Sequence, residues 1–386
     1  MKKKSLFILS TIALLAVGCS KQSTITDVEF SLNDFEDSIE IHNSDILNHF
    51  VTNIEATIAD VNCNYVDAYA QRLYKGEDIT INNPINLTWT AKPVGGSISS
   101  YTILVGEKQD LSDAYTVTSS TESYNFYNAK VDTTYYWAVK VGDFVSDTHS
   151  FSTNKTIIRS CSVEGVNNVR DIGGYGTIKQ GLLYRGEPFE KYNKNTKEVE
   201  PKITSSGVET LTKQLGIKTE VDLRRNDDEN ENCGLTKSTV DGVNYVALPM
   251  QYHNQNILTY NNGAYGNYNN PARIKDFFEL LADRNNYPVY FHCSQGKDRT
   301  GCLAYLVEAL MGTSDTYMMT DYLLSSLALY NAKMTSGGIN TQYGKTLRDY
   351  QQEGWTYSET VYNYLKDVVG ISSATLDSVK NILSVK

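Results

Sequence analysis

The decapeptide His292-Cys293-Ser294-Gln295-Gly296-Lys297-Asp298-Arg299-Thr300-Gly301 holds the most reactive combination of side chains in the chain. Five residues separate a potential nucleophile, Cys293, from a fixed guanidinium, Arg299. A planar guanidinium fork matches two phosphate oxygens, which the point charge of a lysine does not copy. Gly296 lets the backbone turn its amides inward, because no Cβ stands in the way. Upstream, Pro288-Val289-Tyr290-Phe291 reads as a buried strand; downstream, Leu303, Leu306, Val307 and Leu310 recur at i, i+3, i+4 and i+7 on one helix face. The loop thus sits between a strand end and a helix N-terminus, where backbone N–H groups and the helix dipole favour an anion. The same field lowers a thiol pKa, so Cys293 is expected as a nucleophilic thiolate near neutral pH. The Thr300 hydroxyl is placed to hydrogen-bond that thiolate, and His292 to orient the loop from behind. Ser294 and Gln295 complete the cradle. Loop amides and Arg299 supply the charge stabilisation, so neither metal nor cofactor is expected.

This run resembles the signature of cysteine-dependent protein tyrosine phosphatases, and its Gly-Lys-Asp-Arg-Thr-Gly form is similar to a bacterial subgroup. Two further stretches match that subgroup: Asn168-Val169-Arg170-Asp171-Ile172-Gly173-Gly174-Tyr175 and Ile217-Lys218-Thr219-Glu220-Val221-Asp222-Leu223-Arg224. Leu183-Tyr184-Arg185 fits the strand after the first of them. Three ordered motifs are far more specific than one. The resemblance implies hydrolysis of phosphomonoesters through a phosphocysteine intermediate. Its substrates would be phosphotyrosine and, in that subgroup, often phosphoserine, phosphothreonine and phosphoinositides. The partner expected is therefore a phosphorylated protein, or a phosphorylated small molecule or lipid.

The proton donor is harder to place. Many members of the family carry it on a loop after the strand that here reads Val243–Leu248, yet the chain has no Asp or Glu between Asp241 and Asp276. Asp298, beside Arg299 inside the cradle, is the expected general acid, and the subgroup resembled also carries Asp there. Asp222, at the C-terminal end of its strand, is the distant candidate, since sites gather at that edge of open α/β sheets. Its expected role is mainly to position Arg185 or the phosphate loop. Lys297 adds a second cation, which suits a substrate with more than one phosphate, such as a phosphoinositide or inositol phosphate; otherwise it is a solvated loop lysine. Two other classes compete with the enzyme reading. One is an inactive module that binds a phosphorylated ligand, which the intact Cys293, Arg299 and Thr300 disfavour. The other is sulfur transfer in a rhodanese-like loop, to which the Cys293–Arg299 spacing is poorly suited.

The elements that must hold these residues alternate between strand and helix. Val208, Leu211 and Leu215 mark a helix capped by Ser205 or Ser206 and stopped at Gly216, feeding a strand over 217–223. Asn270-Pro271 opens another helix, with Ile274, Phe277, Phe278 and Leu281 on one face. Beyond Gly312 the chain reads as helical through 321–330, 356–369 and 373–383. An α/β domain over 160–386 follows, with a central, mostly parallel sheet flanked by helices and the phosphate loop at its C-terminal edge. Before it, Ile85, Leu87 and Trp89, then Tyr101, Ile103 and Val105, then Tyr135, Trp137, Val139 and Val141 alternate as short strands. Residues 78–154 thus read as an all-β sandwich that resembles a fibronectin type III or other immunoglobulin-like domain. Residues 46–77 are an arm without a clear pattern. Residues 19–45 are polar and acidic, and read as a tether. The segment 251–270, rich in Asn, Tyr and Gln, is a long loop expected to rim the site.

Residues 1–18 have the form of a leader, with basic Lys2-Lys3-Lys4 and an apolar stretch too short to span a bilayer comfortably. Leu15-Ala16-Val17-Gly18-Cys19 resembles a bacterial lipobox, which implies cleavage before Cys19 and its diacylation. Ser20 after it suggests outer-membrane rather than inner-membrane sorting, and with it an extracytoplasmic, lipid-anchored protein. The net charge of −10 argues against nucleic acid and provides no long-range attraction for phosphate, so attraction must be local. Of the six cysteines, Cys302 belongs to the signature helix and its core, while Cys63, Cys161 and Cys233 lack metal-ligand spacing. Oligomeric state is not encoded legibly. The anchor is open to a direct test: full-length protein should partition into the detergent phase, and Cys19→Ala should release it as soluble or unprocessed material. Mass spectrometry of an unmodified mature N-terminus would rule the anchor out.

Overall fold

Alternation of apolar and polar side chains lays down the first group of strands. The computed structural model describes residues 24–42, 78, 80–155, 159–174, 176–193, 195–196, 198–225, 234–252, 257–262, 268–329, 334, 339 and 343–385. In chain order the strands are β1 (Asp27–Leu32), β2 (Ile85–Val94), β3 (Tyr101–Gly106), β4 (Tyr115–Ser119), β5 (Ser123–Phe126), β6 (Thr134–Val141), β7 (Phe144–Val145) and β8 (His149–Ser152). They form one antiparallel sheet ordered β1-β2-β5 and another ordered β4-β3-β6-β7, with β8 also on β6. Ile85, Leu87 and Trp89 from the first sheet and Ile103, Val105, Trp137 and Val139 from the second share one apolar core.

The tether expected over 19–45 is corrected by β1, which pairs with β2 from Asp27↔Val94 to Leu32↔Trp89. Val28 and Leu32 are buried and Phe30 packs against the same core. The period-two pattern was present, but Asp27 and Glu29 on the outer face gave the segment an acidic, tether-like composition. The leader at 1–18, Cys19 and the arm at 46–77 lie outside the described residues.

The second body is built on a six-stranded sheet. Its strands are β9 (Arg159–Ser160), β10 (Arg170–Asp171), β11 (Leu183–Gly186), β14 (Thr219–Asp222), β15 (Asn244–Ala247) and β18 (Val289–His292); β12 (Glu190–Asn193) pairs β13 (Glu198–Pro201), and β16 (Asn261–Asn262) pairs β17 (Tyr268–Asn269). The order is β15-β14-β18-β11-β10-β9; the first four run parallel and the last two antiparallel. This is the mostly parallel sheet expected. Its helices are α1 (Ser205–Glu209, continued by a π-helical turn over Thr210–Gln214), α2 (Asn270–Leu281), α3 (Arg299–Leu310), α4 (Asp315–Ala328), α5 (Tyr343–Tyr350), α6 (Tyr357–Asp367) and α7 (Ser373–Leu383). Thr204 caps α1 rather than Ser205 or Ser206: it alone is extended, and its Oγ1 accepts from Gly207 N at 3.1 Å.

Period two along the strands divides the sheet into two faces. Leu183, Val221, Val289 and Phe291 pack with α2 and α3 in one core, while Tyr184 and Tyr290 join Phe189, Leu211 and Leu215 in another. The second face also carries Glu220, Asp222 and His292, all buried. Every residue of α3 is buried, not only the apolar stripe read from its sequence, so the helix behind the phosphate loop lies at the centre of its domain. Phe277 of α2 meets Phe291 with ring centroids 5.2 Å apart and has no exposed surface. Phe277→Ala should therefore cost about 3–5 kcal/mol in chemical denaturation, with the m-value unchanged.

Candidate active site

Four buried residues of β18 deliver the chain to Cys293, and α3 begins at Arg299, so six residues turn between a strand end and a helix start. Cys293 is only 2% exposed. Burial works against its thiolate, but the Arg299 charge, together with the Thr300 and Gln295 donors beside the sulfur, outweighs it and holds the thiol below its ordinary value. The other described cysteines behave oppositely. Burial pushes Cys161 up to about 11 and raises Cys302, which sits in the apolar core.

Arg299 is aimed by the ends of two strands. Its Nη1 donates to the Leu223 and Met250 carbonyls, both at 3.3 Å, and its Nη2 to Ser294 Oγ at 3.0 Å. The loop carbonyls are gripped from behind: Gln295 O accepts from Asn168 Nδ2 at 3.0 Å, and Gly296 O and Lys297 O accept from Arg185 Nη2 at 2.7 and 3.5 Å. In a trans peptide the N–H points opposite to the C=O. Carbonyls drawn toward the support therefore turn the N–H groups of Gly296, Lys297 and Asp298 the other way, as an anion cradle requires. Gly296 has φ +65°, and a Cβ there would stand 2.1 Å from Gly186 O, so only glycine fits.

Behind the loop lie two charge clusters. In one, Asp321 of α4 accepts from Arg170 Nε at 2.6 Å and from Arg185 Nη1, with all three side chains buried. Burial pushes the Asp321 carboxyl up, but the two guanidinium groups prevail and hold it below the ordinary carboxylate value. In the other, His292 Nε2 lies 2.8 Å from Glu220 Oε1 and its Nδ1 3.3 Å from Cys293 O, at the strand end. Burial opposes the imidazolium, yet the Asp222 and Glu220 carboxylates raise the His292 pKa.

The roles expected for Asp222 and Arg185 separate here. Asp222 does not hold Arg185, which belongs to Asp321. Instead Asp222 takes Arg224 N at 2.9 Å and Nη2 at 2.7 Å and Tyr245 OH at 2.8 Å, and lies 3.9 Å from His292 Nδ1. With no exposed surface and those donors in place, its carboxyl is held low, despite a burial effect that would raise it, by His292 and Arg224. A fully engaged carboxylate of that kind is a brace, not a proton donor. Asp298 differs. It occupies the N-cap of α3 in a helical conformation without capping it, and its half-buried carboxylate pairs with Lys297 Nζ at 2.8 Å. Tyr252, 39% exposed, has its hydroxyl pKa raised by burial and by the charges of Asp298 and Cys293, which places it at the rim.

Sequence reasoning gave no role to Asp321, Glu220 or Asn168. Asp321 was a lone acid in the apolar run Met318–Leu329, a signal for a buried partner; Glu220 and Asn168 stood inside quoted motifs.

The model of the tyrosine phosphatase family matches residues 161–385, more than half of the chain. The chain belongs to the tyrosine phosphatase family. A tyrosine-protein phosphatase of Nostoc commune is 27% identical over 122 residues, which cover 29% of this chain and 41% of that protein. The chain thus spans about two fifths of the length of that relative. Among solved structures, the catalytic core of Siw14 is similar at 16% identity and TM-score 0.28, over 48% of this chain and 82% of that one. TpbA of P. aeruginosa is similar at 16% identity and TM-score 0.24, over 56% and 90%.

Removing the shared acid should loosen both arginines at once. Asp321→Asn leaves two buried guanidinium groups without their carboxylate and should cost about 3–5 kcal/mol. Because the folded pKa is depressed, the contribution of Asp321 is full above the unfolded aspartate value of about 3.9 and is lost as pH falls through the folded value. The stability gap between wild type and variant should accordingly narrow in acid, as measured by urea melts across pH.

Proposed function

We propose that this protein hydrolyses phosphomonoesters through a phosphocysteine intermediate, with phosphotyrosine as the principal substrate and phosphoserine or phosphothreonine as further ones. One observation carries the reading: Cys293, alone among the described cysteines, is held toward thiolate, on the same loop as a braced Arg299. The Cys293 sulfur attacks phosphorus in line, and the phosphorus–oxygen bond to the leaving group breaks. Arg299 and the loop amides stabilise the equatorial oxygens. Asp298 gives its proton to the leaving oxygen, then takes one from water. The resulting hydroxide displaces the Cys293 sulfur and releases inorganic phosphate. That Asp298 makes no capping bond supports this assignment, since its carboxylate is not committed to the helix.

A phosphoinositide or inositol phosphate is the second reading, favoured by the cation of Lys297 beside the cradle. Its pairing with Asp298 leaves less of that charge for another phosphate, so the protein substrate is preferred. An inactive phospholigand-binding module is disfavoured by the lowered thiol, which binding alone does not need.

The β body is proposed as a fibronectin type III-like module over 78–154 that takes its first strand from residues 27–32. The catalytic domain is proposed to run over 160–386. The lipobox-like Leu15–Cys19 supports an extracytoplasmic protein anchored to a bacterial membrane through acylated Cys19, with the outer membrane preferred.

Cys293→Ser should abolish release of phosphate from an aryl phosphate and still bind vanadate weakly; turnover by that variant would sink the mechanism. Asp298→Asn should slow single turnovers by ~10²–10⁴-fold on tyrosyl or alkyl phosphates, and less on an activated aryl phosphate that needs little protonation. Equal losses on both would leave Asp298 a structural role only.

A further inference from the structure

The support of the phosphate loop does not end within the family-matched residues 161–385. Asn168, whose Nδ2 holds the Gln295 carbonyl at 3.0 Å, has φ +60°, in the left-handed region that asparagine enters more readily than most residues with a Cβ. Its side-chain oxygen is occupied from below by Ser325 Oγ at 3.2 Å and by the Arg170 guanidinium. Its backbone N–H is occupied from outside the domain: it donates to Asp78 Oδ2 at 2.7 Å. The other oxygen of Asp78 accepts from Thr80 N at 2.9 Å and Thr80 Oγ1 at 2.6 Å, which fixes the plane of the carboxylate. Asp78 is thus a buried acceptor, locked by its own neighbour and delivered from the amino-terminal side of the chain; burial raises its carboxyl pKa against the opposing effect of Thr80, the Asn168 N–H and Arg170.

We propose that Asp78 is a positioning residue for the phosphate loop: by anchoring the Asn168 N–H it keeps the Asn168 amide on Gln295 O and so keeps the Gly296 N–H turned toward the substrate phosphate. The chain of contacts is short, Asp78 to Asn168 to the 295–296 peptide, and each link is a hydrogen bond of ordinary length. The Gln295 N–H, on the other side of the same residue, is among the groups that lower the Cys293 thiol pKa, so a tilt at this point disturbs both the nucleophile and the cradle. A catalytic domain that borrows a loop support from another part of the chain is switched with that part. Displacing Asp78 would weaken phosphate binding and turnover together, with every residue of the loop itself intact.

The proposal rests on the phosphatase reading above, and its test uses the full-length chain. Asp78→Ala and Asp78→Asn are compared with wild type by kcat and KM on an activated aryl phosphate, by vanadate affinity, and by thermal melting. Small misplacements of a cradle cost up to ~10²-fold, so Asp78→Ala should lose about 10–100-fold in kcat, counted per vanadate-titrated site. Vanadate should bind more weakly in parallel. Asp78→Asn has one acceptor oxygen for the two sets of donors that face Asp78, and should fall between, at least ~3-fold below wild type. A role confined to folding would instead lower the melting temperature and leave kcat per titrated site unchanged. Wild-type kcat and vanadate affinity in folded Asp78→Ala would overturn the proposal; if that variant does not fold, the same result in Asp78→Asn would. Should no protein, wild type included, turn over, the phosphatase reading fails, while the ranking of vanadate affinities still decides for or against Asp78.

Discussion

A loop that offers its backbone N–H groups to an anion must dispose of its carbonyls elsewhere, and that constraint organises this molecule. Each carbonyl turned away from the cradle is a polar group entering the protein interior, where it costs free energy unless paired. Asn168 and Arg185 meet that need, and they are themselves polar and buried. The requirement therefore passes outward in steps, from carbonyl to Arg185, from Arg185 to Asp321, and from Asp321 to Arg170. A buried charge network of this kind adds little net stability over apolar packing. It specifies one orientation for the three peptides whose carbonyls Asn168 and Arg185 hold, which packing alone does not.

Local chemistry was legible and distant chemistry was not. The nucleophile, its arginine and the glycine sit within one decapeptide, so their types and spacing state their function without a fold. The sheet was legible too, because parallel strands alternating with helices leave two periodicities. Asp321 pairs with residues far away in sequence, and no pattern names a partner across such a separation. Asp222 is more instructive. Its partner Arg224 lies two residues along, which on an extended chain is the same face, so that pair was available to sequence reasoning. The strand at 27–32 was missed because composition was weighed before alternation.

The electrostatics are correspondingly short in range. A net charge of −10 repels a phosphate dianion at a distance, and only the immediate field of Arg299 and the loop amides reverses the sign. That α3 is buried on every side means the orientation of those groups is inherited from the domain core and not assembled on binding.

The pairing of β1 with β2 bears on how the chain reaches this state. Leu32 and Ile85 belong to neighbouring strands, yet they are separated by a segment far longer than a hairpin turn. Closing such a loop costs about 2–3 kcal/mol more than closing a tight turn, since the entropy grows with the logarithm of length. On a ribosome adding ~5–20 residues per second, β1 is exposed for several seconds before its partner is made. Asp27 and Glu29 on its outer face put like charges on that strand, and like charges oppose the pairing of two copies of it.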